Sequence, residues 1–120
     1  MLIDTGRVAK LAHRLTAQEV SDEKAMKPRP DLIPGEALLA IGKTLGYGFD
    51  KHGVQTWKEP ENPQADPAVH LASAMRHIVE YQIDPNATEE GSGMPVLWHA
   101  AAQLCILIDC IERKKKQETE

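Results

Sequence analysis

Histidines at 70 and 77, a serine at 73 and carboxylates at 80 and 84 share one stretch, DPAVHLASAMRHIVEYQID (Asp66–Asp84). Stepping its residues at roughly 100° each, as in an α-helix, gathers His70, Ser73, His77, Glu80 and Asp84 into a narrow stripe with Tyr81 at its edge. Leu71, Ala72, Ala74, Met75, Ile78, Val79 and Ile83 fall on a broad apolar side. A face that merely meets water usually carries Lys and Glu. Imidazoles, carboxylates and a hydroxyl are groups that bind metals, move protons or hydrogen-bond a ligand. His77, Glu80 and Asp84 stand at i, i+3 and i+7, so all three can reach one point above the helix. Such a set suits a divalent cation with nitrogen and oxygen ligands. The plainer account puts His70 and Ser73 on the surface, pairs Glu80 with Arg76, and has Asp84 cap the turn before Pro85.

A second set is basic and aromatic: Lys43, Lys51, Trp57, Lys58 and Arg76. A nucleobase stacks on an indole face, and phosphates pair with Lys or Arg. Alternatively, Trp57 plugs a loop onto the core and the cations are solvated. A third set is His99 and Gln103, at i and i+4 in an apolar segment. A buried imidazole and amide need partners: each other, a backbone carbonyl, or a ligand. No phosphate-cradling glycine loop, CxxC pair or nucleophile elbow occurs.

The elements that must position these groups read as helices. The spacing of Val8, Leu11, Ala12 and Leu15 predicts one over Thr5–Lys24, with Thr16 and Glu19 as a capping box. KPRP (Lys27–Pro30) breaks it. A second helix starts over Leu32–Lys43, with Pro34 in its first turn and Ala37, Leu38, Ala40, Ile41 and Leu45 as its buried face, and Gly46 and Gly48 end or loosen it. Asp50–Ala65, which holds Lys51 and Trp57, is a long loop of the kind that carries function. Asp66 and Pro67 cap and open the helix of the polar stripe. Pro85–Gly93 is a polar loop. Met94–Lys116 is apolar nearly all round from Val96 to Ile111 and is expected to be central. Arg113–Lys116 suits a helix C-terminus and a solvated tail.

With 120 residues, one domain is expected: an N-terminal helical arm over 1–26, a core over 27–112 and a basic and polar tail over 113–120. Fourteen basic and 18 acidic residues, a net charge of −4, argue against binding DNA or RNA duplexes through a basic surface. They leave room for a small anion in a local basic pocket. Cys105 and Cys110, five apart on one helix, point in different directions and read as buried thiols in a reducing compartment. The start, MLIDTGRVAK, lacks the pattern of a secretory leader. The longest apolar segment is interrupted by His99, Gln103 and Asp109, so a membrane span is not expected.

Four motifs in order, KPRPDLIPGEAL, LGYGFDKHGVQTW, the Arg76–His77 pair and SGMPVLWHA, resemble small bacteriophage proteins with the N-terminal-type domain named for dATP/dGTP diphosphohydrolases. The resemblance covers about Lys27–Ile111. It implies an all-helical fold, a phage origin and a purine-nucleotide context, and it singles out Lys51, Trp57, Arg76, His77, Ser92, Gly93 and His99. Two positions depart from that pattern: His52 stands where an aromatic partner of Lys51 is expected, and Val96 where a second histidine is expected. The wider helical pyrophosphohydrolase group holds magnesium with paired ExxE and ExxD carboxylates. That arrangement is not found here: Glu89 and Glu90 fall in a loop, and Asp109 and Glu112 lie far along the last helix.

Together these readings predict an all-α bundle of three to four helices with a buried C-terminal helix. A chain this small with so much apolar helix surface is expected to form a homo-oligomer. The leading functional expectation is a phage nucleotide-binding protein in the host cytoplasm. It would bind or sequester a purine nucleotide, or a nucleotide-derived immune signal, and so serve anti-defence. The ligand-binding residues would be Lys51, Trp57, Arg76, His77, Ser92, His99 and Gln103. The alternative is a metal-dependent pyrophosphohydrolase of dATP and dGTP, with Mg2+ or Mn2+ on His77, Glu80 and Asp84. A third possibility is a phage adaptor or structural protein.

Overall fold

The computed structural model describes residues 27–53 and 55–119. The chain divides into two compact units, Met1–Ile33 and Pro34–Glu120. The helix and capping box expected over Thr5–Lys24 lie outside the described residues. In the first unit the described part is short. Arg29 donates two bonds to the Asp31 carboxylate, at 2.9 and 2.8 Å, beside a 3-10 turn over Pro30–Leu32.

The second unit contains three α-helices: α1 (Gly35–His52), α2 (Pro67–Ile83) and α3 (Val96–Thr119). No strand occurs among the described residues, only an isolated bridge between Thr88 and Pro95. Pro34 sits at the cap of α1, where its missing N–H costs nothing. The helix does not stop at Gly46 or Gly48; it runs on to His52 and ends at Gly53, whose φ of 93° is the left-handed region a glycine tolerates. The continuation is held from the side: Thr44, whose hydroxyl donates to the Ala40 carbonyl at 2.9 Å, lies 3.8 Å from the Met94 sulfur, and Tyr47 packs edge-on against His99. Lys51 and His52 therefore belong to a helix, not to the loop in which the glycines seemed to place them.

The connection over residues 55–66 is not featureless either. It folds into 3-10 turns at Thr56–Lys58 and Pro63–Ala65, the second capped by Asn62 Oδ1 on the Gln64 N–H. Asp66 opens α2 as its residue type predicts, accepting from the Ala68 N–H at 3.0 Å, with Pro67 at the first position.

The interior reverses the simplest expectation. Buried on α2 are His70, Ala74 and His77; on α3 they are Val96, His99, Ala100, Ala102 and Cys110. Apart from Ala74, the side chains on the broad apolar face of α2 look outward, with Met75 58% and Val79 51% exposed. So do Leu38 and Leu39 on α1, and Leu97 and Ile108 on α3. Thr44, not Leu38, is the buried residue of α1. Alanines at the seam let α2 and α3 approach closely, and the imidazoles fill the remaining width. His70 is thus a core residue, contrary to its plainer reading as surface. Cys110 is buried but Cys105 is exposed, and both are free. The basic run after Ile111 stays helical to Thr119 and is exposed throughout. No helix among the described residues is long and apolar enough to cross a membrane.

Candidate functional site

A cavity of about 760 Å3 opens between the second half of α1, the turn after it, and the inward faces of α2 and α3. That volume lies in the range of small-molecule and cofactor sites. Lys51, Trp57, Arg76, His77, His99 and Gln103 all line it. Ser92 stands behind His99, bonded to it.

The helices give the cavity two ends. His77, late on α2, faces His99, early on α3. His70, early on α2, meets Gln103, one turn further along α3. The two helices are therefore antiparallel, and cavity residues four apart on α3 lie about 6 Å apart along it.

At the first end the His77 and His99 rings are 5.2 Å apart, and Tyr47 meets His99 edge-on at 6.1 Å. The His77 Nδ1–H donates to Glu80 Oε1 at 2.8 Å. In the neutral ring this leaves Nε2 as a lone pair, with no partner among the described residues, on a side chain only 6% exposed. His99 Nε2 lies 2.6 Å from Ser92 Oγ and 3.2 Å from Glu89 Oε2. Burial is the main reason its pKa is lowered; the electrostatic influence of His77 and Lys51 lowers it further, against the pull of Glu89 and Glu80. Glu89 is itself held ionised: the Ser92 bond, then the backbone N–H groups of Ser92 and Gly91, take its pKa down, with N–H distances of 2.9 and 3.0 Å. Lys51 and Arg76 complete this end. Neither pairs with a carboxylate among the described residues; Arg76 makes only a 3.4 Å contact to Ser73 Oγ.

At the second end Trp57 is pinned through its edge. Its Nε1–H donates to Asp109 Oδ2 at 2.8 Å, and its carbonyl lies 3.9 Å from Cys110 Sγ. The same Asp109 oxygen accepts from Arg113 Nε at 2.7 Å. Val69 and Ile106 add aliphatic walls, and Gln64 and Gln103 add amides. Of the basic and aromatic set, Lys43 sits elsewhere, with its ammonium 5.8 Å from the Trp98 ring, and Lys58 lies in the electrostatic reach of Asp109.

The stripe of α2 is split by its surroundings. His77 and Glu80 are engaged with each other, while Asp84 accepts from the Asn86 N–H and shapes the turn. Among the described residues no group of three or more His, Cys, Asp or Glu side chains is placed to hold a metal ion. Magnesium and manganese favour several oxygen ligands at once, and the donor set as arranged does not make that site. His99 and Gln103, neighbours along one helix, take separate partners: His99 a loop serine and glutamate, Gln103 the His70 of α2. Glu89 and Tyr47 are site residues that spacing on one helix did not reveal. The signal for Glu89 was the TEEGSG turn, where a carboxylate precedes two N–H groups it can accept from.

The family model described as dATP/dGTP diphosphohydrolase, N-terminal, matches residues 17–120. No curated protein and no solved structure matches the chain. The match spans all three helices and both ends of the cavity, and the chain belongs to the dATP/dGTP diphosphohydrolase N-terminal family.

Proposed function

We propose that the cavity binds a purine nucleotide, with the base against Trp57 and the phosphates toward Lys51, Arg76, His77 and His99. One observation carries this reading. A single cavity of about 760 Å3 has an indole and amides at one end, and at the other two imidazoles and two cations that pair with no carboxylate among the described residues. Stacking suits the first end and anionic oxygens suit the second. The family's description adds a nucleotide context. In this reading the chain is a phage-encoded module of the host cytoplasm that binds or sequesters a purine nucleotide or a nucleotide-derived immune signal. Copies associate through the outward apolar side chains of their helices, such as Leu71, Met75 and Val79 of α2, which lie four apart and about half exposed.

Hydrolysis is the second reading, and the His77–Glu80 pair favours it. The carboxylate orients the ring, and the lone pair of Nε2 on the cavity side can take a proton from water attacking a phosphorus. A thermal-shift panel of dATP, dGTP and cyclic dinucleotides, with and without magnesium or manganese, followed by chromatography of the nucleotide, tests both. Intact nucleotide with a raised melting temperature supports binding; a diphosphate-releasing turnover lost in Glu80→Gln supports hydrolysis; no response to any ligand sinks both and leaves an adaptor role.

A further inference from the structure

We infer that Gln103 reads an exocyclic amino group on the bound base, so that the site selects amino-bearing bases over their deaminated counterparts. The inference rests on the nucleotide reading above.

It starts from His70, which does not line the cavity but lies directly behind the residue that does. His70 is 1% exposed. Its Nε2 is 2.5 Å from the backbone oxygen of Gln64, and its Nδ1 is 2.6 Å from the Gln103 amide atom placed as Oε1. A carbonyl oxygen only accepts, so Nε2 carries a hydrogen. With the amide oxygen facing Nδ1 in this way, both nitrogens need hydrogens and the ring is an imidazolium. A buried cation with no carboxylate to pair with is costly, and among the described residues His70 pairs with none. The neutral ring leaves Nδ1 as a lone pair, and the group facing a lone pair has to be the amide NH2. Oxygen and nitrogen of a glutamine amide exchange places on a half-turn at little change of shape, so the partner's chemistry decides between them.

The consequence lies on the cavity side. With the NH2 of Gln103 committed to His70, its carbonyl oxygen is the group left for a ligand. Gln103 shares the indole end with Trp57 and Ile106. A base stacked on Trp57 meets an acceptor there, held in one orientation by a relay from Gln64 through the buried His70. An amino group satisfies that acceptor. A keto oxygen meets it lone pair to lone pair, and a bare C–H leaves it unpaired.

Isothermal titration calorimetry compares dATP, purine 2′-deoxyriboside triphosphate, which lacks only the amino group, and dITP, which carries a keto oxygen in its place. Loss of the amino group is expected to weaken binding about ten- to a hundredfold, and dITP is expected to bind no better than the bare purine. In Gln103→Glu, which keeps an acceptor on the cavity side, the preference for dATP persists. In Gln103→Met, with folding checked by circular dichroism, it collapses to within about threefold. The wild-type comparison needs no variant: equal affinities for the three ligands, or tighter binding of dITP, overturn the role of Gln103 while the nucleotide site stands. If none of the three binds, the nucleotide reading falls and takes this inference with it.

Discussion

Binding of a nucleoside triphosphate is expected to draw a proton onto His99. In the empty cavity burial, then the electrostatic influence of His77 and Lys51, hold this ring below the ordinary histidine value of 6.5, although Glu89 pulls the other way. The His77 and His99 rings are 5.2 Å apart. Two like charges at that separation repel by about 3 kcal/mol at an effective dielectric near 20, so the empty site resists charging both. A phosphate chain at the same end reverses the sign of that field. An attraction of similar size favours the protonated ring by roughly a hundredfold. The complex then binds more protons than the free protein. Affinity therefore rises as pH falls between the depressed value of the free ring and the higher value of the complex, by up to about tenfold per pH unit for each proton taken up. Calorimetry near neutral pH in two buffers of different ionisation enthalpy counts those protons. About a half to one proton per site is expected for the wild type. After subtraction of the nucleotide's own titration, close to none is expected for His99→Gln. A bound nucleotide with no proton uptake by the wild type would refute the placement of phosphates beside the imidazoles.

Acid weakens the fold in two steps. His99 titrates lower folded than unfolded, so the unfolded chain binds more protons and stability falls as pH drops through 6.5. Glu89 follows the same sign below 4.5, as does Asp109 below 3.8, where burial pushes its pKa up but the Arg113 and Trp57 bonds outweigh that; urea midpoints across this range check both steps, and a flat profile contradicts them. Trp57→Phe keeps a stacking ring but removes the bond to Asp109, at about 1 kcal/mol of stability, whereas Trp57→Ala loses about 1–3 kcal/mol of nucleotide binding as well; calorimetry and thermal melts separate the two. The double change Met75→Glu, Val79→Glu puts charge on outward apolar positions and is expected to give a smaller species in sedimentation with helix content unchanged; an unaltered assembly would place the contact between copies elsewhere.

Local chemistry was the most legible part of the sequence. Asp66 and Pro67 announce the start of α2 because an N-cap and a first-turn proline act within a few residues. The stripe containing His70 and His77 was legible for the same reason: helical spacing decides which side chains share a face. Which face turns inward is not local. It depends on what the neighbouring helix offers, and Ala100 and Ala102 of α3 leave room for imidazoles instead of Met75 and Val79. The end of α1 was misplaced because Gly46 and Gly48 are poor helix formers, while the packing of Tyr47 on His99 that sustains the helix comes from a residue 52 positions away. The partners of the buried polar groups were hidden likewise. Spacing joined His99 to Gln103 along one helix, whereas the fold joins Gln103 to His70 across two and His99 to Ser92 and Glu89 in the preceding loop. Lys51, Arg76 and Trp57 were chosen for their chemistry, and the cavity holds all three.

The central claim is that one cavity holds a base at its indole end and phosphates at its imidazole end. Trp98 lies outside the cavity lining, so Trp98→Phe leaves Trp57 as the sole fluorophore of its kind. Titrating that protein with dATP and, separately, with inorganic tripolyphosphate, while following Trp57 emission and the histidine ring resonances by NMR, tests the claim most directly. The account predicts that tripolyphosphate shifts the His77 and His99 resonances and leaves Trp57 emission unchanged, whereas dATP shifts the same resonances and quenches Trp57. Bound dATP that leaves Trp57 emission untouched, or tripolyphosphate that fails to move either imidazole, would contradict it.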